Sequence, residues 1–149
     1  MRLKQNKEIK NLTIYSRKKS QLQKRPVVNE DIAAGFPSPA EDFKEVRISL
    51  DKELVKNEDA TFYARVRGNS MVDANIEDGD LLVIDRSIES RNGKIAVCMI
   101  DGEFTIKRLK IEKNCVYLMP ENKKFKPIKV TEENELIIWG IVTYVIKKV

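Results

Sequence analysis

The sequence predicts a mostly β chain: a small antiparallel β domain, folded or closed on itself, behind a flexible N-terminal arm. Three observations carry this. From residue 61 onward, short runs rich in Val, Ile, Thr, Tyr and Phe recur at regular spacing. Turn signals built on Gly, Asp and Asn separate them. Residues 1–34, by contrast, sustain neither a period of 2 nor one of 3.6.

Taken in order, residues 1–34 read as an arm with at most a transient turn near Leu12–Tyr15. In "AAGFPSPAEDF" (33–43), Pro37 and Pro39 fix φ and push Phe36 and Ser38 toward extended backbone, so residues 35–45 read as a stretched hinge. Phe43, Val46, Ile48 and Leu50 open the domain, 46–149, as a short strand, and Leu54 and Val55 fall in a short turn or helix. "TFYARVRG" (61–68) alternates as a half-buried strand does. "DGD" (78–80) turns the chain into "LLVIDR" (81–86), and the Asn-Gly of "RNGK" (91–94) turns it into "IAVCMI" (95–100). "DGE" (101–103) is a two-residue hairpin signal leading to "FTIKRLKI" (104–111). "CVYLMP" (115–120), "KPIKV" (126–130) and "ELIIWGIVTYVIKKV" (135–149) complete the set.

With 149 residues the chain can bury one real core. Its net charge of +5 is unevenly placed: residues 1–30 carry nine Lys/Arg against two Glu, and residues 31–149 carry nineteen against twenty-one Asp/Glu. A basic arm on a mildly acidic body can attract nucleic acid or an acidic partner, and it can equally be a solvated tail. There is no histidine, which removes the commonest metal ligand and general base. Cys98 and Cys115 lack C-x-x-C spacing and sit in apolar runs, so they read as fillers. The N-terminus lacks the apolar stretch of a signal peptide. The longest apolar run, "LIIWGIVTYVI" (136–146), is about half of a membrane span, so a cytoplasmic chain without membrane contact is expected.

Two segments could do chemistry. In "RGNSMVDANIEDGD" (67–80), Ser70 follows Gly68 in a tight connection between strands. Met71 is expected to pack inward and anchor the loop, leaving the serine at its tip. Backbone N–H groups at such a turn, those of Asn69 and Ser70, can converge as an oxyanion hole does. The acids Asp73, Glu77, Asp78 and Asp80 fail the calcium-loop pattern, because the sixth and twelfth positions from Asp73 hold Asp78 and Ile84 rather than Gly and Glu. No metal is expected. In "FTIKRLKI", alternation puts Thr105, Lys107 and Leu109 on one face, which can turn Lys107 partly inward. Burial disfavours an ammonium, and a neutral lysine can take a serine proton. Taken singly, Ser70 is an ordinary turn serine and Lys107 an ordinary strand lysine.

Taken in order, the pieces "AAGFPSPAEDF", "GNSMVD", "EDGDLLVID" and "DGEFTIKRL" resemble the UmuD branch of the LexA-type self-cleaving serine peptidases, from about Ala33 to Val149. The spacings, 35 residues from Gly35 to Ser70 and 37 from Ser70 to Lys107, fit that family. The resemblance implies a β domain of the LexA/signal-peptidase type. It implies a scissile bond between Ala34 and Gly35, nucleophile Ser70, base Lys107 and no cofactor. It further implies a role in the bacterial response to DNA damage. A RecA filament on single-stranded DNA would promote the cut, and the trimmed homodimer would join a UmuC-type Y-family polymerase for translesion synthesis. The sequence departs from the family in two places: Asn69 stands where an acidic residue is more usual, and the arm is longer and more basic. Whether that arm contacts DNA is left open by the residues.

Three other readings are weighed against this one. A LexA-like transcription repressor needs a helix-turn-helix ahead of the cut, and residues 1–34 are short and lack its apolar pattern. A signal-peptidase-like enzyme needs a membrane anchor. A non-catalytic binding module needs neither Ser70 nor Lys107.

Overall fold

The computed structural model describes residues 7–9, 12–16, 24–28 and 45–149. They fall into two compact units, one built from residues 1–18 and 57–149 and the other from residues 19–56.

The larger unit holds one antiparallel sheet. Its strands are β1 (Lys7–Ile9), β2 (Leu12–Ser16), β5 (Thr61–Val66), β6 (Leu81–Asp85), β7 (Ile95–Ile100), β8 (Glu103–Ile111), β9 (Val116–Met119), β10 (Ile128–Val130) and β11 (Leu136–Ile146). Their spatial order is β1-β2-β5-β6-β11-β7-β8-β9-β10. Short 3₁₀ turns at Glu58–Ala60 and Val72–Ala74 complete the unit. The smaller unit pairs β3 (Lys24–Val28) with β4 (Glu45–Ser49), followed by α1 (Leu50–Leu54), whose N-cap Ser49 accepts from the Lys52 N–H. No helix among the described residues is long and apolar enough to cross a membrane.

The expected mostly antiparallel β domain is therefore present, and the strands expected from residue 61 onward form within a residue or three of their expected ends. The Asp101-Gly102 pair makes the expected two-residue hairpin: Ile100 faces Glu103, and both turn residues have positive φ, 49° and 81°. That is the type I′ combination, whose twist matches the flanking strands. Asp101 adds support by accepting from Asn134 Nδ2 and the Glu135 N–H.

The arm requires a correction. It contributes β1, β2 and β3, and the expected turn at Leu12–Tyr15 is a strand. "LTIYS" carries strand formers with Leu12 and Ile14 on one face, but two apolar positions among lysines are too few to register as a period. "KRPVV" is interrupted by Pro26, which argues against a central strand yet is compatible with an edge. Residues 29–44, which include the expected boundary at 34/35 and most of the expected hinge, lie outside the described residues.

Strand β7 explains how so small a sheet makes a core. Val97 faces a first cluster with Leu12, Ala64, Val66, Met71, Ile76, Leu82, Ile84 and Ile106. Its neighbours Ala96 and Cys98 face a second cluster with Leu109, Leu118 and Ile141. A strand covered on both faces by its own sheet requires that sheet to curl. The long β11 permits this with register shifts at Ile138/Gly140 and Val142/Tyr144. A Cβ at Gly140 would stand 2.5 Å from Cγ2 of Ile84, which is fully buried and has no room to withdraw. Gly140→Ala is therefore expected to cost about 1–3 kcal/mol, read as a lower urea midpoint at unchanged m-value.

Candidate active site

The loop leaving β5 is fixed from several sides. Gly68 turns at φ +91°, a conformation glycine adopts without strain, and its N–H donates to Asp78 Oδ1 at 2.8 Å. The next residues are clamped through their carbonyls. Asn69 O accepts from Asn122 Nδ2 at 2.8 Å, and Ser70 O accepts from the Glu121 N–H at 2.9 Å. These peptides are trans, so holding the Asn69 carbonyl also fixes the direction of the Ser70 N–H on the opposite side of the same plane. Met71, 2% exposed, is in the first core cluster, the inward anchor expected of it.

Lys107 comes to this loop from the middle of β8. It is 7% exposed, with Leu109 on the same face fully buried. Its Nζ lies 3.1 Å from Ser70 Oγ, 2.7 Å from Thr105 Oγ1 and 3.0 Å from Ile106 O. A neutral amine has two hydrogens and one lone pair. Donation to Thr105 Oγ1 and Ile106 O uses both hydrogens, leaving the lone pair for the Ser70 hydroxyl proton. The environment favours this form: burial pushes the Lys107 pKa below the ordinary lysine value, opposed only by the nearby Cys98 thiol. Burial in turn pushes that thiol up to about 12, so it carries no charge near neutral pH and its opposition lapses.

Ser70, Lys107 and Asn69 line one cleft of about 220 Å³, whose walls include Val66, Ile106 and Phe125. Apolar walls around a buried amine and a fixed hydroxyl suit attack on an extended peptide. Ala34 and Gly35 lie outside the described residues. The connection that contains them, residues 29–44, joins two paired strands, with Val28 opposite Glu45.

A family model described as Peptidase S24-like matches residues 26–143. The chain belongs to this family. The match agrees with the LexA-type resemblance carried by the four sequence motifs. Membership in the S24 family makes the chain a serine peptidase by descent. Protein MucA of Salmonella typhimurium is 42% identical over 127 residues, covering 84% of this chain and 86% of MucA. Protein ImpA of the same organism is 38% identical over 130 residues, covering 83% and 84%. Protein SamA, also from Salmonella typhimurium, is 37% identical over 123 residues, covering 83% and 85%.

Several groups that build this cleft were not singled out from sequence. Thr105 could have been, since it lies two residues before Lys107 on the same strand face. Asn122 and Glu121 follow β9 and carry no local signal; only the fold brings them to Ser70. Arg108 Nε donates to Glu121 Oε1, tying the strand that carries Lys107 to the segment that holds the Ser70 carbonyl. Among the loop acids, Asp78 holds Gly68, and Asp80 pairs with Lys147 at 2.5 Å.

Proposed function

We propose that this S24 peptidase cuts its own chain between Ala34 and Gly35, with Ser70 as nucleophile and Lys107 as general base. The observation that carries the reading is the 3.1 Å approach of a buried Lys107 Nζ to Ser70 Oγ in a partly apolar cleft. Lys107 takes the Ser70 proton as Oγ attacks the carbonyl carbon of Ala34. The N–H groups of Asn69 and Ser70 receive the oxyanion. The Lys107 ammonium then protonates the nitrogen of Gly35, and the bond between Ala34 and Gly35 breaks. Water, giving its proton to Lys107, opens the ester; Ser70 is restored and Ala34 becomes a new C-terminus. Small side chains at 34 and 35 leave room for Oγ to approach an extended backbone. The test is to incubate the purified chain at alkaline pH and weigh the products. Two fragments that meet at 34/35 support the assignment, and an intact chain or another junction refutes it.

The biological setting follows from the family resemblance: self-cleavage in the response to DNA damage, promoted by a RecA filament, with the trimmed homodimer joining a UmuC-type Y-family polymerase in translesion synthesis. The similarity to MucA, ImpA and SamA over most of the chain supports this setting over that of a LexA-like repressor.

Thr105 is a positioning residue in this scheme. Thr105→Val removes the oxygen that orients Nζ and is expected to slow the cut about 10- to 100-fold, whereas Thr105→Ser retains most of the rate. Comparing the two by gel densitometry at fixed pH, together with their pH profiles, separates orientation from bulk packing.

A further inference from the structure

The outer edge of β5 is occupied by a piece of the arm. Strand β2 pairs with β5 over five positions, from Leu12 opposite Val66 to Ser16 opposite Phe62. Leu12 has no exposed surface and belongs to the cluster that contains Val66, Met71 and Ile76; Ile14, on the same face, packs against that cluster. A backbone ladder with alternate side chains set into an apolar surface is how an extended peptide adds itself to a sheet edge. The same arm also pairs through β3 with β4. The bond between Ala34 and Gly35 lies well downstream of both strands, and breaking it removes none of these contacts.

We infer that the β5 edge is a docking site for an extended segment with aliphatic residues at alternate positions, and that its occupant, Leu12–Ser16, stays in place after the chain is cut. The arm then becomes a bound peptide rather than a released one. Its departure would strip the cover from Val66 and Met71, the residues that lead into and anchor the Ser70 loop. The loss of basic charge on trimming accordingly waits for a second event, the exchange of β2 for another strand.

This inference uses the cleavage reading only for the position of the cut, so the test takes the cut from elsewhere. A recognition sequence for an added site-specific protease is placed between Ala34 and Gly35 in the full-length Ser70→Ala chain, and the digested protein is examined by native mass spectrometry and gel filtration. The arm is expected to travel with the body in a 1:1 complex at micromolar concentration and to separate in urea. A labelled peptide of residues 7–18, "KEIKNLTIYSRK", is expected to exchange into the cut protein, and the same peptide carrying Leu12→Asp to bind at least tenfold more weakly. Because the substitution is in the peptide, the body's folding is not at risk. Prompt loss of the arm from a folded body, or equal binding of the two peptides, overturns the inference. Failure of the wild-type chain to cut itself would overturn the cleavage reading and leave this result untouched.

Discussion

Ser70→Ala and Lys107→Ala chains are expected to remain whole under conditions that cut the wild type, with rates at least about 10³-fold lower. The two losses have different origins. In the proposed scheme Ser70→Ala removes the atom that would form the ester, and the nearby Thr105 Oγ1 sits on the strand beside Nζ rather than on the clamped loop. Lys107→Ala leaves Oγ in place with no group to take its proton. If the two side chains act as one unit, as proposed, the double variant is expected to be no slower than either single one, instead of losing the product of the two factors. Lys107→Arg is the sharper variant. It keeps a cation and hydrogen-bond donors near Ser70, but a guanidinium cannot shed its proton to act as a base. It should be as inactive as Lys107→Ala. Cutting by Lys107→Arg at near the wild-type rate would show that the cleft needs a charge and not a base. Unfolding midpoints for Ser70→Ala close to the wild type would confirm that chemistry, not folding, was lost.

How much of this was legible beforehand depended on how local the signal was. The strands from Thr61 onward announce themselves by alternation and by turns such as Asp101-Gly102, both set by neighbours in sequence. Ser70 and Lys107 each stand in a short motif with a fixed separation along the chain, and the fold brings their side chains to 3.1 Å. Pairing across long separations was not. Leu12 lies in a lysine-rich arm and becomes a core residue only because β5, some fifty residues on, offers it an edge. Asn122 is likewise an ordinary turn residue until β9 brings it to the Asn69 carbonyl. Charge misled as well: a basic, polar arm reads as solvated, yet Leu12–Ser16 pairs with β5 along five positions and Leu12 is buried.

The rate of self-cleavage should rise about tenfold per pH unit from neutrality and then level off below the ordinary lysine range. The slope follows from the reactive form being the neutral amine, whose fraction grows tenfold per unit while the ammonium predominates. The early plateau follows from burial, which lowers the Lys107 pKa. Folding linkage has a consistent sign. Below the folded-state pKa the native chain bears a buried ammonium. In the window between that pKa and the higher one of the unfolded chain, the unfolded state binds more protons, so this group's contribution to stability improves as pH rises. The titration of Lys107 itself therefore does not loosen the domain as the rate rises. Self-cleavage timed from pH 6 to 11, with thermal unfolding followed in parallel on Ser70→Ala, checks both halves. A rate flat across that range would remove the lysine from the base's role. A plateau reached only above the ordinary lysine value would mean that Nζ is far better solvated than the burial of Lys107 implies.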